Sequence, residues 1–224
     1  PEILQVGGTC NPSAKHLPSA LAIFKKVHPD TKVTFLTGLK AEIEKLLEAC
    51  KIDIAVIQSP SKSPGLVMEP FAVDNLIFFS HPRHPLANKK SLDLLDLSGT
   101  PVIIRAGRGT TEKFIEKLKS RGIAVNVTLR CVSPDAVKAA VRREMGIGIL
   151  FHNLVEDELK RKEFKTLKVS TPISTVGNSF IVYKRNQPLS PAATEFLAVL
   201  RSMKDRLATP TKITEAAEQR QRTA

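Results

Sequence analysis

The 224-residue sequence contains no tryptophan, a single tyrosine and only three cysteines. Aromatic residues do not alternate with basic ones, which argues against a surface that stacks nucleic-acid bases. Cys10, Cys50 and Cys131 are far apart and form no C-x-x-C pair, so we expect neither a disulfide framework nor a zinc site. No apolar run approaches the roughly 18 residues of a membrane span, and no signal peptide is visible at the start. These absences predict a soluble cytoplasmic chain without metal or cofactor.

Charge is not concentrated in one block either. Thirty-four Lys and Arg residues outnumber 22 Asp and Glu residues and give a formal charge of +12, spread along the chain. Such a balance permits binding of anions or nucleic acid but establishes neither. The length suits one large domain or two small lobes.

In the first half of the sequence, apolar runs alternate with segments of helical periodicity. The runs are continuous rather than alternating, which is typical of parallel strands covered on both faces. The turn-rich stretch 58–65 predicts the end of this first unit. The predicted strands are residues 2–8, 32–38 and 53–57. The helical stripes between them are Leu17, Leu21, Phe24 and Val27, then Ile43, Leu46, Leu47 and Cys50.

The second half repeats this alternation, so the sequence predicts an α/β fold with open, mostly parallel sheets. The predicted strands are residues 75–80, 101–105, 124–132, 146–151 and 179–185. The predicted helices lie at 91–97, around Phe114, Ile115 and Leu118, around Val137, Ala140 and Val141, at 153–160, and around Ala193, Phe196, Leu200 and Met203. Residues 207–224 are poor in apolar side chains, and we expect a frayed or disordered tail there.

Several short sequence motifs occur in a fixed order along the chain. The first helix contains Leu17-Pro18 and ends with Phe24 and Pro29, Gly38 follows the second strand, and residues 52–57 read IDIAVI. The segments PGLVMEPF, HPRHPLA, GIGIL and LSPAATEFLAVLR follow in that order. In combination, residues 2 to about 203 resemble the effector-binding region of LysR-type transcriptional regulators.

The resemblance implies a two-lobed fold like that of periplasmic substrate-binding proteins. The first lobe would be residues 1–73 plus 176–206, and the second would be residues 74–175. A small, anionic effector would bind between the lobes of a cytoplasmic protein that is not an enzyme. The family's N-terminal winged helix-turn-helix domain is not in this chain, so DNA would be bound only through that domain. The alternative is a transport-type solute-binding protein, or an enzyme, on the same fold.

The predicted strand ends of the first lobe carry polar or flexible residues. Ligands of open α/β sheets bind beyond the carboxyl ends of the strands. The resemblance matches Thr9 to a serine or threonine that touches the effector, while Lys40 replaces a small hydroxyl residue and could meet an anion or narrow the pocket. Helix capping is the alternative role for Thr9, Asn11 and Ser13. The candidate ligand residues here are Thr9, Asn11, Ser13, Gly38, Leu39, Lys40 and Gln58.

In the second lobe, the stretch RAGRGTTEKF leads into a helix. It lacks the lysine of a phosphate-binding loop and the third glycine of a dinucleotide motif, so nucleotide binding is not expected. A helix start still favours an anion, and Thr110 or Thr111 could cap it. Alternatively, the glycines only shape the turn and the arginines are solvated. The candidate ligand residues here are Arg105, Arg108, Gly109, Thr110 and Ser133, the last of which could equally cap a helix.

Two further expectations concern metals and assembly. His81 and His84 have H-x-x-H spacing, but the neighbouring prolines oppose a helix, so a surface turn is expected instead of a metal site. The resemblance implies an antiparallel homodimer, and a tetramer at full length, in which residues 13–28 of one chain pack against 111–121 of the other. Ala20 and Ile23 lie off the core stripe of the first helix, and Val125 and Val127 alternate along a strand that could form an edge. These four residues are candidates for that interface, or they complete the monomer core.

Overall fold

A computed structural model describes residues 2–107 and 109–207. The chain divides into two compact units, which we call unit 1, consisting of Pro1–Val73 with the chain from Asn178 onward, and unit 2, Asp74–Gly177. Arg108 and the predicted tail beyond residue 207 lie outside the described residues. No helix within the described ranges combines the length and apolarity needed to cross a membrane.

Unit 1 begins with alternating strands and helices, as the apolar runs and helical stripes predicted. The elements are β1 (Ile3–Gly8), α1 (Cys10–Ala14), α2 (His16–Val27), β2 (Lys32–Thr37), α3 (Lys40–Glu48) and β3 (Ile54–Gln58). Strand β4 (Leu66–Ser80) starts in unit 1 and ends in unit 2.

Unit 2 continues with short strands, helices and three 3₁₀ turns. Its elements are a 3₁₀ turn at Pro85–Asn88, β5 (Leu92–Asp93), a 3₁₀ turn at Leu94–Leu97, β6 (Val102–Arg105), α4 (Thr110–Ser120), β7 (Val127–Cys131), α5 (Pro134–Arg142), β8 (Ile147–Phe151), a 3₁₀ turn at His152–Leu154, α6 (Glu156–Lys160), β9 (Lys165–Leu167) and β10 (Val169–Ser170). Strand β11 (Val176–Lys184) leads back into unit 1, which α7 (Pro191–Leu207) completes.

The sheet of unit 1 has the order β2-β1-β3-β11. Strand β1 is parallel to β2 and β3, and β11 is antiparallel to β3. Helices cover both faces, which explains why β3 is continuously apolar. On one face Ile54 and Val56 pack with α2 and α7, where the rings of Phe24 and Phe196 meet edge to face at 5.7 Å. On the other face the same strand packs against α3.

The main sheet of unit 2 contains the parallel strands β7, β6 and β8, with β4 antiparallel to β8 and β9 antiparallel to β4. Strands β5 and β10 form a separate parallel pair. The core surrounds Phe79, which is fully buried. A Cβ on Gly148 would lie 2.4 Å from Cζ of Phe79, so glycine is required where β8 crosses this ring.

Several predicted elements were wrong in extent or type. The helix predicted at 91–97 is a two-residue strand and a 3₁₀ turn, because Leu92, Leu94 and Leu97 point inward while Leu95 is 84% exposed. Strand β4 begins at Leu66 rather than at residue 75, and β7 is shorter than predicted. Strands β9 and β10 were not predicted. Their apolar segments are too short to show a period.

Two residues assigned to helical stripes also lie elsewhere. Val27 is 71% exposed in the last turn of α2. Cys50 lies beyond the end of α3 with a φ of 55°, and it is exposed. Residues at helix ends leave the periodic stripe because the chain turns away there. Pro29 marks the end of α2 two residues after Val27, whereas no Gly or Pro closely follows Cys50.

Candidate functional site

Thr9 joins the ends of two neighbouring strands in unit 1. Its backbone N–H donates to the carbonyl of Val56 (3.1 Å), and its Oγ1 accepts a hydrogen bond from the N–H of Gln58 (2.9 Å). Thr9 occupies the N-cap position of α1, but its side chain makes no capping hydrogen bond. The capping alternative is therefore wrong for Thr9, whose hydroxyl fixes the end of β3 instead.

Ser13 and Asn11 lie on α1 directly after this junction. Asn11 is 3% exposed. The N–H of Ser13 donates to the carbonyl of Thr9 (3.0 Å), and its Oγ is buried without a hydrogen-bond partner among the described residues. A Cβ on Gly8 would lie 2.4 Å from that Oγ. Glycine at the end of β1 thus lets the Ser13 hydroxyl approach the strand backbone.

The Gly38 to Lys40 segment is held by contacts inside unit 1. The N–H of Gly38 donates to the carbonyl of Gly8 (3.1 Å). Leu39 is 63% exposed, and its N–H donates to Oε2 of Glu42 (2.8 Å). The Lys40 ammonium donates to the carbonyl of Pro60 and lies 3.7 Å from Oε1 of Glu44. Its positive charge is therefore already partly neutralised within unit 1.

Gln58 faces a residue that the sequence did not single out. Its Cα partner on the antiparallel strand β11 is Ser179, which is 1% exposed. Nε2 of Gln58 and Oγ of Ser179 are both buried and have no hydrogen-bond partner within residues 2–107 and 109–207. The available signal was a serine two positions before Ile181 in an apolar strand, which places a hydroxyl on a core-facing row.

In unit 2, Arg105 ends β6 beside the start of α4. Nε of Arg105 is buried and has no hydrogen-bond partner in the described part of the chain. A Cβ on Gly109 would lie 3.5 Å from Nη1 of Arg105. Gly109 is the N-cap residue of α4, so no side chain caps this helix, and the predicted cap at Thr110 or Thr111 is wrong. A guanidinium and an uncapped helix start thus lie together, which favours an anion.

The turn between β6 and α4 requires one glycine. Gly107 has a φ of 119°, a conformation that side chains with a Cβ rarely adopt. Thr110 is the first residue of α4 and is half-buried. Arg108, a further predicted ligand residue, lies outside the described residues.

Ser133 caps a different helix. Its Oγ accepts a hydrogen bond from the N–H of Ala136 (3.1 Å) at the start of α5. This is the capping role that the sequence left open. A contact of Ser133 with a ligand stays a prediction.

The H-x-x-H segment forms a turn. Nδ1 of His81 accepts from the N–H of Arg83 (3.2 Å), and Nδ1 of His84 accepts from the N–H of Leu86 (3.2 Å). Burial lowers the pKa of His84 below its usual 6.5. Across the residues that the structure describes, no group of three or more His, Cys, Asp or Glu side chains could hold a metal ion.

The two units therefore present different chemistry at their strand ends. Unit 1 has hydroxyl and amide groups at Thr9, Ser13 and Gln58, and its lysine is engaged internally. Unit 2 has a guanidinium beside an uncapped helix. Neutral hydrogen-bonding groups orient a ligand, whereas a guanidinium favours ligands with carboxylate or phosphate oxygens.

Comparison with known proteins identifies a matching family and a shared fold. Residues 2–205 match a family described as the LysR substrate binding domain. The RuBisCO operon transcriptional regulator of Allochromatium vinosum is 26% identical over 80% of this chain and 59% of its own length. The HTH-type transcriptional regulator CfxR of Cupriavidus necator is 28% identical over 86% of this chain and 61% of its own length.

A solved structure has the same fold. It is the CcmR regulatory domain of Synechocystis PCC6803 in complex with 2-PG, with a TM-score of 0.81 and 21% identity, and it covers 94% of this chain and 100% of that one. The predicted α/β fold is therefore confirmed. All three are named as regulators, which agrees with the prediction that this chain is no enzyme. The chain spans about three-fifths of the length of the two curated regulators.

Proposed function

Because this chain belongs to the LysR substrate-binding domain family, we propose that it senses a small anionic effector for a bacterial LysR-type transcription regulator. The observation that carries the anionic character is Arg105 at the uncapped start of α4. A guanidinium pairs with carboxylate or phosphate oxygens, and the N–H groups of the first helical turn add further donors.

The proposal assigns separate tasks to the two units. Arg105, Gly109 and Thr110 of unit 2 bind the charged group of the effector. Thr9 and Gln58 of unit 1 bind its uncharged oxygens. Contact of one effector with both units is part of the proposal, and it is what the family resemblance implies. The binding roles of Asn11, Ser13, Gly38, Leu39, Lys40, Arg108 and Ser133 stay predictions.

The experiment compares anions with uncharged analogues of similar shape. We expect phosphate, sulfate or small carboxylates to raise the Tm of the chain, whereas the matching amides at equal ionic strength do not. A thermal-shift screen followed by calorimetry measures this. If no anion stabilises the chain, or if amides stabilise it equally well, the anionic effector is wrong.

The proposal places the full-length protein in the cytoplasm, where it binds DNA through an N-terminal winged helix-turn-helix domain. By itself, this chain should bind DNA weakly and without sequence preference, because its formal charge of +12 attracts phosphates but reads no bases. Titration with random and operator duplexes at physiological salt tests this. Selective binding at nanomolar concentration would contradict it.

The proposal also includes a homodimer, with a tetramer at full length. Ile23 and Val27 on α2 are 39% and 71% exposed, so this helix offers an apolar surface to a second chain. Ala20 is fully buried in the core of unit 1, and its predicted interface role is wrong. Val125 and Val127 are partly buried against the core of unit 2, which favours their alternative role there.

Light scattering at micromolar concentration tests the dimer. Ile23→Asp should shift the wild-type dimer towards monomer, because a symmetric interface places each charge twice. Leu95→Asp, at a residue that is 84% exposed in unit 2, is the control and should leave the dimer intact. A dimer that survives Ile23→Asp would mean that another surface is used.

A further inference from the structure

Ser179 and Gln58 are the starting point, since they are polar residues on a sheet face that is otherwise apolar. They are direct partners across β11 and β3, and opposite residues of an antiparallel pair project to the same face. The next residues on that face are Val56 and Ile181, which are paired and fully buried. The two polar side chains therefore extend the core row at the carboxyl end of β3.

Both side chains lack the hydrogen bonds that buried polar groups normally have. Oγ of Ser179 and Nε2 of Gln58 are enclosed and have no partner among the described residues. A buried group without a partner destabilises the fold, which is why such groups are rare. An apolar residue at position 179 would pack at that place without this cost. A hydroxyl there is consistent with a partner that arrives from outside the chain.

The surroundings indicate what that partner is. The backbone N–H of Gln58 donates to Oγ1 of Thr9 (2.9 Å). Gln58 therefore lies at the strand ends where we place the effector. The nearby Lys40 ammonium is engaged by Pro60 and Glu44. Gln58 as a whole is half-buried, so rotation of its side chain can bring the amide to a ligand. The available groups are an amide and hydroxyls, which bind uncharged oxygens.

We propose that Ser179 and Gln58 form a specificity pair that recognises an uncharged hydroxyl or carbonyl oxygen of the effector, separate from its anionic group. This inference rests on the proposed function. It assigns a hydroxy- or keto-substituted acid, rather than a plain carboxylate or inorganic anion, as the effector class. Ser179 acts as donor or acceptor, and Gln58 donates from Nε2.

The first arm of the test uses the ligand-free chain. Ser179→Ala should leave the Tm unchanged or raise it, because it removes a buried hydroxyl that has no partner. If Ser179 instead held an internal water or supported the fold, the Tm would fall by about 3 °C or more. That fall would overturn the proposal. Ser170→Ala, at an exposed serine of β10, controls for serine removal.

The second arm measures binding of matched acids: glycolate and acetate, lactate and propionate, malate and succinate. We expect the wild type to bind the hydroxylated member roughly five- to tenfold more tightly, which is the effect of one good neutral hydrogen bond. The preference should disappear in Ser179→Ala and in Gln58→Met, and Ser170→Ala should retain it.

The outcomes separate this inference from the proposed function. If the acids bind and the variants keep the hydroxyl preference, or if the wild type has none, the specificity pair is wrong while the anionic effector stands. If neither these acids nor inorganic phosphate or sulfate binds the wild type, the proposed function fails and this inference fails with it.

Discussion

Units 1 and 2 contain similar strand-to-helix junctions, but the side chains at the two junctions differ in charge. In unit 1 the hydroxyl of Thr9, which follows β1, accepts a hydrogen bond from the N–H of Gln58. The groups at this junction are therefore uncharged. In unit 2 the junction after β6 has no side-chain cap and carries Arg105. The architecture places donors at both strand ends, and the residues at those ends decide whether charge or shape is recognised.

The cores of the two units give the largest predicted effect. Phe24→Ala in unit 1 and Phe79→Ala in unit 2 each remove a ring that is fully buried, so each should lower the free energy of unfolding by about 3–5 kcal/mol. Urea denaturation followed by circular dichroism measures this.

The same denaturation curves also show whether the two units unfold separately. Each variant should lower the midpoint of one transition more than the other if the units unfold separately, and a single shared transition would show that they unfold together. Leu95→Ala, at an exposed side chain, should change stability little. A loss below about 1 kcal/mol in either Phe variant would contradict the core assignment.

Anion affinity gives the next largest effect and tests which unit supplies the positive charge for the effector. Arg105→Ala should weaken anion binding by about 10- to 100-fold, the contribution of one or two charge-assisted hydrogen bonds. Lys40→Ala should weaken it by less than about threefold, because Lys40 already interacts with Pro60 and Glu44 and solvent partly screens its charge. Calorimetry measures both affinities.

Arg143→Ala is the matched control, because Arg143 is an exposed arginine of unit 2 whose Nη1 donates to the carbonyl of Ala139. It should bind anions like the wild type. If Lys40→Ala has the larger effect, Lys40 of unit 1 and not Arg105 of unit 2 supplies the main positive charge.

The next prediction is that Ser133, which follows a strand end, stabilises the fold but does not contact the ligand. Ser133→Ala removes the cap of α5 and should lower the free energy of unfolding by about 1 kcal/mol, without a change in anion affinity. Ser133→Asp, which can also cap, should restore stability. Loss of affinity with unchanged stability would instead make Ser133 a ligand residue.

Much of the fold could be predicted because the decisive signals are local. Strands β1, β3 and β8 follow from short continuous apolar runs, and α5 follows from the stripe of Val137, Ala140 and Val141. The short strands β9 and β10 could not be predicted, since their formation depends on partners far along the chain. Three-residue and two-residue segments carry no period of their own.

The candidate site could be located but its contacts could not be predicted. The rule that ligands meet strand ends indicated Thr9 and Arg105. The engagement of Lys40 by Pro60 spans 20 residues, and that of Thr9 by Gln58 spans 49. The role proposed for Ser179 depends on its register opposite Gln58 in the sheet. Such pairings are set by the tertiary fold, which no local pattern contains.

The smallest predicted effect concerns an ion pair that unit 1 uses for stability. Arg201 on α7 donates from Nε (2.9 Å) and Nη2 (2.6 Å) to the carboxylate of Glu69, which also accepts from the Tyr183 hydroxyl (2.8 Å). The hydrogen bond from Arg201 lowers the pKa of Glu69 below its usual 4.5, and burial only partly opposes this. A depressed carboxyl pKa stabilises the fold above the unfolded pKa, and this stabilisation is lost as the pH falls through the folded value.

We therefore expect Glu69→Gln to lower the Tm at pH 7 by about 2 °C, as for a partly exposed bidentate pair. The difference from wild type should shrink once the pH falls below the usual 4.5 of the carboxyl, because protonated Glu69 loses its charge in the wild type as well. Tm measured at steps from pH 7 to pH 3.5 tests this. Glu195→Gln on the same helix α7 is the control for removing a glutamate charge and should leave the Tm at pH 7 nearly unchanged. A Glu69→Gln difference that persists unchanged at pH 3.5 would mean that side-chain shape, not charge, is what Glu69 contributes.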